Sequence, residues 1–167
     1  AMNSLYHGTA FATGDFGVSG SRGSLEITVQ ATTAPGTDVR MPVGGSVEVS
    51  PISFVHFGAP DSVDAAEDVD LSGVSIDMDI TVTPDARFEL VFDPTVGDIM
   101  SGRGSGLIEI GVTQRGDLSM NGKVEITEGD YLFTLRNIVN KRFAVQPGGS
   151  ITWYGDPFDA QLDLQAI

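Results

Sequence analysis

The sequence has no cysteine in its 167 residues. This absence excludes a disulfide scaffold, a thiol nucleophile and a thiolate metal site. No apolar run approaches the roughly 20 residues that a membrane-spanning helix requires. Hydrophobic residues nevertheless make up 41% of the chain and charged residues only 19%. The composition therefore predicts a globular domain with a packed core rather than a disordered segment.

Basic residues are also scarce, with 9 of them against 23 acidic residues and a net charge of −14. Contacts to phosphate groups need Lys and Arg, so this balance argues against nucleic acid as a partner. The same shortage argues against adsorption to an anionic membrane surface through a polybasic face. We interpret the local basic cluster of Arg136, Lys141 and Arg142 as a solvated turn.

What the sequence does contain is an alternation of apolar and polar residues with period two, which is typical of β-strands. Such a pattern places apolar side chains on one face of a sheet and polar side chains on the other. No segment of useful length shows the period of a helix. The alternating stretches lie at residues 25–31, 74–82, 87–93, 118–120, 124–126 and 162–164.

Turn signals rich in Gly, Pro and Asp separate these stretches, and the sequence contains 21 Gly and 8 Pro. Several connections are only a few residues long, so we expect hairpins and a mostly antiparallel meander. A parallel solenoid with tight corners is the alternative. A single one-sided sheet must curl until its apolar face meets itself, or leave a groove. The predicted turns lie at residues 93–94, 113–117, 120–122, 128–129, 147–149 and 155–157.

Residues 58–70 differ from the rest because they contain five acidic residues and almost no large apolar side chain. We expect an acidic loop between two strand sets of one domain that spans residues 1–167. The acidic side chains could bind Ca²⁺, but their spacing does not fit an EF-hand, which favours a solvated loop. The acidic residues of this loop are Asp61, Asp64, Glu67, Asp68 and Asp70.

Two short motifs have simpler structural explanations than functional ones. The tripeptide 115–117 matches a cell-adhesion motif but lies where a hairpin turn is expected. The Gly-rich stretch 102–106 lacks the Lys-Ser/Thr pair of a phosphate-binding loop and is interpreted as a flexible turn. His7 and His56 are far apart, and no pair of carboxylates stands out. We therefore predict neither an enzyme nor a metal or cofactor site.

Two long stretches carry a resemblance to a known family. Residues 83–110 read TPDARFELVFDPTVGDIMSGRGSGLIEI, and residues 129–166 read GDYLFTLRNIVNKRFAVQPGGSITWYGDPFDAQLDLQA. Their order and spacing resemble the C-terminal domain of the TamB family, the translocation and assembly module subunit. The Gly-rich residues 8–20 and the turn and strand at 36–43 are similar to the family's earlier units. Because residues 162–167 stop in mid-alternation, we expect the chain to be a piece of a longer protein.

The resemblance implies a fold and a cellular role. TamB proteins are anchored in the inner membrane of Gram-negative cells, and a long β-structured body crosses the periplasm. The C-terminal domain reaches an outer-membrane barrel partner of the TamA type, and its sheet is curled like a taco around an apolar groove. The roles that the resemblance implies are phospholipid transport toward the outer membrane and assistance in outer-membrane protein assembly. It implies no catalytic residue and no cofactor.

An apolar concave face of this kind would suit lipid acyl chains, which need a dry surface beside a fully paired backbone. The alternative for each residue is an ordinary core position. Other open hypotheses are a protein-interaction module that adds a strand at a sheet edge, including an edge-paired homodimer, and a carbohydrate-binding sandwich using Trp153 and Tyr154. The predicted groove residues are Ile76, Met78, Ile80, Phe88, Leu90, Phe92, Leu132 and Trp153.

Overall fold

The computed structural model describes residues 7–21, 23–43, 73–93, 97–135 and 139–167, and these form eleven β-strands and no helix. The predicted acidic loop and its carboxylates lie outside the described residues. Within those residues, no helix is long and apolar enough to cross a membrane. The strands are β1 His7–Thr9, β2 Ala12–Ser21, β3 Ser24–Thr33, β4 Asp38–Pro42, β5 Val74–Val82, β6 Arg87–Asp93, β7 Asp98–Val112, β8 Leu118–Leu135, β9 Val139–Val145, β10 Ser150–Gly155 and β11 Ala160–Asp163.

The centre of the sheet is an antiparallel hairpin of two long strands, β7 with 15 residues and β8 with 18. A turn at residues 113–117 joins them, and the predicted Arg-Gly-Asp turn lies here. Gly116 adopts the positive φ of 86° that the turn requires. The Thr113 hydroxyl donates a hydrogen bond to Oδ2 of Asp117 at 3.0 Å, so these side chains close the hairpin.

Shorter strands pair end to end along the free edges of this hairpin. β5 and β6 both pair with β7, on opposite halves of the same edge. β9 and β10 pair in the same way with β8. β3 and β4 lie beyond β5 and β6, followed by β2 and β1, while β11 lies beyond β10. The eleven strands therefore occupy only seven positions across the sheet.

Most of these pairings are antiparallel, as the sequence predicts. Among the described strands, β3 pairs with β5 and β4 with β6 in parallel, while the other eight pairings are antiparallel. The parallel pairings follow the long connection between residues 43 and 73, because parallel neighbours need a crossover. The predicted fold class is confirmed as all-β with one open, curled sheet.

The paired short strands are separated at one common level, which we call the corner. Residues 34–37, 83–86 and 146–149 interrupt the strand pairs β3/β4, β5/β6 and β9/β10, and each of these segments contains a proline. Hydrogen bonds from Ala86 N to Thr83 O (3.0 Å) and from Gly148 N to Ile126 O (2.9 Å) bend the backbone there. At the same level the register of β7 and β8 shifts between Arg103 and Gly104. The sheet therefore folds along a line that crosses its strands.

Several predicted turns are not reversals of the chain, and the Gly-rich stretch 102–106 is not a flexible turn. Residues 102–106 lie inside β7, and residues 120–122 and 128–129 lie inside β8. Residues 147–149 form part of the corner, after which the next strand continues along β8. Glycine is needed inside the strands because a β-carbon at Gly106 would collide with the Lys123 carbonyl oxygen. These glycines therefore allow close backbone approach.

Folding at the corner brings apolar side chains from both ends of the strands into one buried cluster. Leu90 and Met100 pair across β6 and β7 on one side of the corner, and Ile126 and Ile151 lie on β8 and β10 on the other. All four belong to one hydrophobic cluster and are almost fully buried. Burial of side chains of this size contributes roughly 1.5–3 kcal/mol each to folding, so the cluster holds the two halves together.

We expect the substitution Thr37→Val to destabilise the corner. The buried Thr37 hydroxyl oxygen accepts a hydrogen bond from Phe11 N at 2.9 Å and lies 2.8 Å from the Ala34 carbonyl oxygen. Valine has a similar shape but leaves the Phe11 amide without this partner. Urea denaturation should show a loss of about 1–3 kcal/mol in the free energy of unfolding. The matched control Thr32→Val lies on an exposed position of β3 and should change little; equal stability of both variants would contradict the prediction.

Candidate functional site

The apolar face of the sheet is folded inward at the corner, and we call it the inner face. One arm consists of β1, β4, β6, β9 and the adjoining halves of β7 and β8; the other consists of β2, β3, β5, β10, β11 and the remaining halves. The first arm contributes Leu90 and Met100 to the shared cluster, and the second contributes Ile108, Met120 and Trp153. The two arms therefore turn their apolar sides toward each other.

Seven of the eight predicted groove residues lie on this inner face. Ile76, Met78 and Ile80 pair across to Val112, Ile110 and Ile108 of β7. Phe88, Leu90 and Phe92 lie on β6, and all three belong to the cluster or pack against it. Trp153 belongs to the cluster as well. Leu90 is 0% exposed, so this position is core, whereas Met78, Ile80, Phe88 and Phe92 remain partly exposed.

Leu132 departs from the prediction, because the structure places it on the opposite face of β8. It pairs with Ile99, whereas its neighbour Tyr131 pairs with Met100 and packs against the cluster. The cause is the register shift at the corner, where Thr127 is an extra residue on β8. A bulge of this kind reverses the alternation beyond it. Tyr131 therefore occupies the inner-face position that the sequence pattern assigned to Leu132.

One end of the inner face is filled by the protein itself. Trp153 is 3% exposed, and its indole Nε1 donates a hydrogen bond to the Pro157 carbonyl oxygen at 3.2 Å. Ile151 beside it is also buried. A buried indole cannot stack on a sugar ring, so the carbohydrate-binding hypothesis loses one of its two aromatic residues. Tyr154, the other one, is exposed on the opposite side of β10.

The other end of the inner face is open among the described residues. Phe16 and Val18 on β2 are 78% and 57% exposed, although they pair with the half-buried Val29 and Ile27 on β3. β2 is an edge strand, because its other edge has no partner strand among the described residues. The apolar surface thus continues outward from the cluster to an accessible edge.

Aromatic rings cluster on the inner face of the first arm, at the ends of the strands away from the corner. The Tyr131 ring is perpendicular to Phe92, with centroids 5.8 Å apart, and is nearly parallel to Phe143 at 6.5 Å. Phe133 lies 6.3 Å from the same ring. We call these four residues the aromatic cluster. Edge-to-face and offset pairs of this kind are favourable arrangements of the ring quadrupoles.

A carboxylate lies against this cluster. Asp98 is on the same side of β7 as Met100, next to the Tyr131 hydroxyl. Burial, reinforced by the negative charge and hydrogen bonding of Asp98, raises the pKa of Tyr131 to about 12. Oδ1 of Asp98 is itself buried and has no hydrogen-bond partner in the described part of the chain. An unpaired carboxylate oxygen in an apolar setting is costly, so this position is unusual for a plain core.

The outer face carries charged side chains from strands that are distant in sequence. Arg87 pairs with Glu89 at 2.6 Å and with Asp38 at 3.0 Å. The Glu89 hydrogen bond is the largest cause of the raised pKa of Arg87. Arg103 pairs with Glu128 at 3.2 Å. Sequence reasoning did not identify this group because its members are brought together only by strand pairing. The acidic partners neutralise these arginines, so they do not form a free anion site.

We expect Tyr131 to make stability sensitive to high pH. Its folded pKa of about 12 exceeds the ordinary tyrosine value of 10.0, so the folded state holds this proton more tightly than the unfolded state does. The contribution is complete below pH 10 and is lost as pH rises toward 12. Denaturation of wild type should therefore show a steeper fall in stability across this window than Tyr131→Phe. Equal slopes of stability against pH in wild type and Tyr131→Phe would contradict the prediction. Asp98→Asn should give an intermediate slope, because burial remains.

A comparison with known families gives an independent assignment. A family model described as the TamB C-terminal domain matches residues 1–167, the whole chain. No curated protein gives a significant match to the chain. The family supports a role in envelope biogenesis as part of a translocation and assembly module. It also implies association of the full-length protein with a TamA-type partner in the Gram-negative envelope. The chain belongs to the TamB C-terminal domain family.

Proposed function

We propose that the inner face shields phospholipid acyl chains as the lipid passes through the periplasm between the inner and outer membranes. The observation that carries this proposal is the continuity of the apolar surface. It runs from the buried cluster around Leu90 to the exposed Phe16 and Val18. A surface accessible at one edge and dry inside suits a molecule with a long apolar part and a polar end. The role requires no bond to be made or broken.

The dimensions of the sheet agree with this cargo. Neighbouring strands lie about 4.8 Å apart, so seven positions give an inner face on the order of 30 Å long. Two opposed acyl layers make a hydrocarbon core about 30 Å thick, so one chain needs about half of that length. The part between β2 and the buried cluster is therefore long enough to cover most of an acyl chain. Burial contributes roughly 0.8 kcal/mol per CH₂ group.

The proposal includes the setting that the family implies. The chain would act in the periplasm, within a protein anchored in the inner membrane. The barrel partner would receive the phospholipid at the outer membrane. A role in outer-membrane protein assembly uses the same surface, because a client strand also has an apolar side. Exposed carboxylates on the outer face, such as those of Asp77, Asp79 and Glu109, suit a surface that stays hydrated while the inner face holds cargo.

A second candidate function, strand addition, is favoured by the edge strand β2. It pairs with β3 along ten residues, and its other edge has no partner strand among the described residues. A flat edge of this length offers backbone N–H and C=O groups to a client, a partner or a second copy of the chain. This activity would act through the backbone, whereas lipid shielding would act through the apolar side chains.

Val18→Arg is expected to reduce the amount of phospholipid that the purified chain takes up from vesicles. The side chain is exposed on the inner face, so the fold should survive, but a charge there must be desolvated when an acyl chain binds. Native mass spectrometry with lipid extraction should show a decrease of about tenfold, which corresponds to about 1.4 kcal/mol. Leu90→Arg is less informative, because a charge at this fully buried position should unfold the domain.

Leu107→Arg is the matched control for Val18→Arg. Leu107 is also an exposed strand residue, but it lies on the outer face of β7, between Gly106 and Ile108. The substitution Leu107→Arg adds the same charge as Val18→Arg but leaves the inner face unchanged, so lipid uptake should stay at the wild-type level. Wild-type protein without bound lipid after incubation with vesicles would refute the proposed function. Equal loss in both variants would assign the effect to charge alone.

Strand addition at β2 predicts a different signal. If two copies pair along this edge, backbone amide hydrogen exchange in β2 should slow as the protein concentration rises, because the amides gain partners. The central strand β7 serves as the internal control, since both of its edges are already paired. Exchange in β2 that does not depend on concentration would argue against pairing between copies.

A further inference from the structure

The Asp98 carboxylate and the aromatic cluster form a polar site on an otherwise apolar surface, and nothing in the lipid-shielding role requires it. A carboxylate makes no favourable contact with an acyl chain. In a plain core, replacing Asp98 with an apolar residue would increase the stability of the fold. The site lies on the inner face, where Tyr131 and Phe92 pack against the main cluster. Its place at the ends of β6, β7 and β8 away from the corner corresponds to the rim of the folded sheet.

We propose that this site binds the ammonium group of a zwitterionic phospholipid such as phosphatidylethanolamine, with Asp98 as the counter-ion and the rings of Tyr131 and Phe92 as the flanking aromatic surface. The inference rests on the proposed function, since it assigns the head group of the lipid whose acyl chains the inner face shields. A carboxylate close to aromatic rings is a combination that recognises ammonium groups.

The Asp98 carboxylate has an oxygen without a hydrogen-bond partner among the described residues. This oxygen, Oδ1, is buried. A primary ammonium has three N–H donors and a positive charge. It can therefore donate a hydrogen bond to this oxygen and form an ion pair with the carboxylate. Burial beside Tyr131, whose phenol pKa is raised to about 12, indicates a local environment in which an ion pair is screened less than at the surface.

The aromatic cluster already contacts an ammonium group, that of Lys141, on the side away from Asp98. Nζ of Lys141 lies 4.9 Å from the centroid of the Phe143 ring, within the distance at which a cation and a ring attract each other. Phe143 is nearly parallel to Tyr131, so the cluster has a cation on one flank and a carboxylate on the other. This arrangement complements a head group that carries a phosphate and an ammonium, rather than one with a single negative charge.

The test is a lipid competition with the purified chain. Vesicles contain equal amounts of phosphatidylethanolamine and phosphatidylglycerol with identical acyl chains, and the lipid bound to the protein is extracted and quantified. Wild type should enrich phosphatidylethanolamine about two- to fivefold, a range of the size that a single exposed ion pair with Asp98 supports. In Asp98→Asn the bound ratio should return to that of the vesicles, while the total amount of bound lipid stays similar.

Glu109→Gln is the control that separates the site from overall charge. It removes one negative charge, as Asp98→Asn does, but from an exposed position in the middle of β7. Its enrichment should equal that of wild type. If Asp98→Asn fails to fold, as judged by circular dichroism, Phe92→Leu tests the same site by removing one ring, and it should lower the enrichment by about half.

The outcomes separate the two levels of the proposal. Lipid uptake without any preference, or a preference that persists in Asp98→Asn, overturns the ammonium site and leaves acyl shielding standing. An equal loss of preference in Glu109→Gln also overturns it, because the effect is then one of net charge. Absence of all bound lipid from wild type refutes both. Binding of free ethanolamine at Asp98 without a preference among vesicle lipids would assign the site to a soluble amine and overturn the lipid assignment.

Discussion

The structure depends on one constraint, which is that a sheet with a single apolar face must cover that face without a second sheet. The chain meets this constraint by folding the sheet across its strands at the corner. Two requirements follow: the strands that flank the central hairpin must be interrupted at one common level, and the backbone groups freed there must find partners. Residues 34–37, 83–86 and 146–149 meet the first requirement. The buried Thr37 hydroxyl and the backbone hydrogen bonds of Ile126 with Gly148 and Gly149 meet the second.

Much of this architecture can be predicted from the sequence, because alternation with period two reports directly on a one-sided sheet. It identifies the apolar sides of β3, β5 and β6 and seven of the eight inner-face residues. The corner cannot be predicted in the same way. Pro-Gly and Pro-Asp signals occur both where a chain reverses and where it bends and continues, and only the neighbouring strand decides between them. The sequence pattern therefore predicts a hairpin at 147–149, where the chain instead continues along β8.

The misplacement of Leu132 has the same origin. Val124 and Ile126 point inward on β8, and unbroken alternation would place Leu132 beside them. The extra residue Thr127 is visible only because the pairing of β8 with β7 leaves it without a partner on β7, since no composition signal marks a bulge. The aromatic cluster and the Arg87 ion pairs are hidden for a related reason, since their members come from different strands. Exposed ion pairs of the latter kind contribute little to stability, so they shape the outer surface more than they hold it together.

The filled end at Trp153 gives the inner face a direction. In a groove that is open at both ends, a bound molecule can enter or leave at either end. Here the indole and Ile151 close the end near β11, while the surface near β2 stays accessible. Cargo on this surface would therefore enter and leave by the same edge, and its depth of entry would be limited by the indole. The inner face is therefore closed at one end, and the position of the Trp153 indole limits the length of a long apolar molecule that the domain can cover at one time.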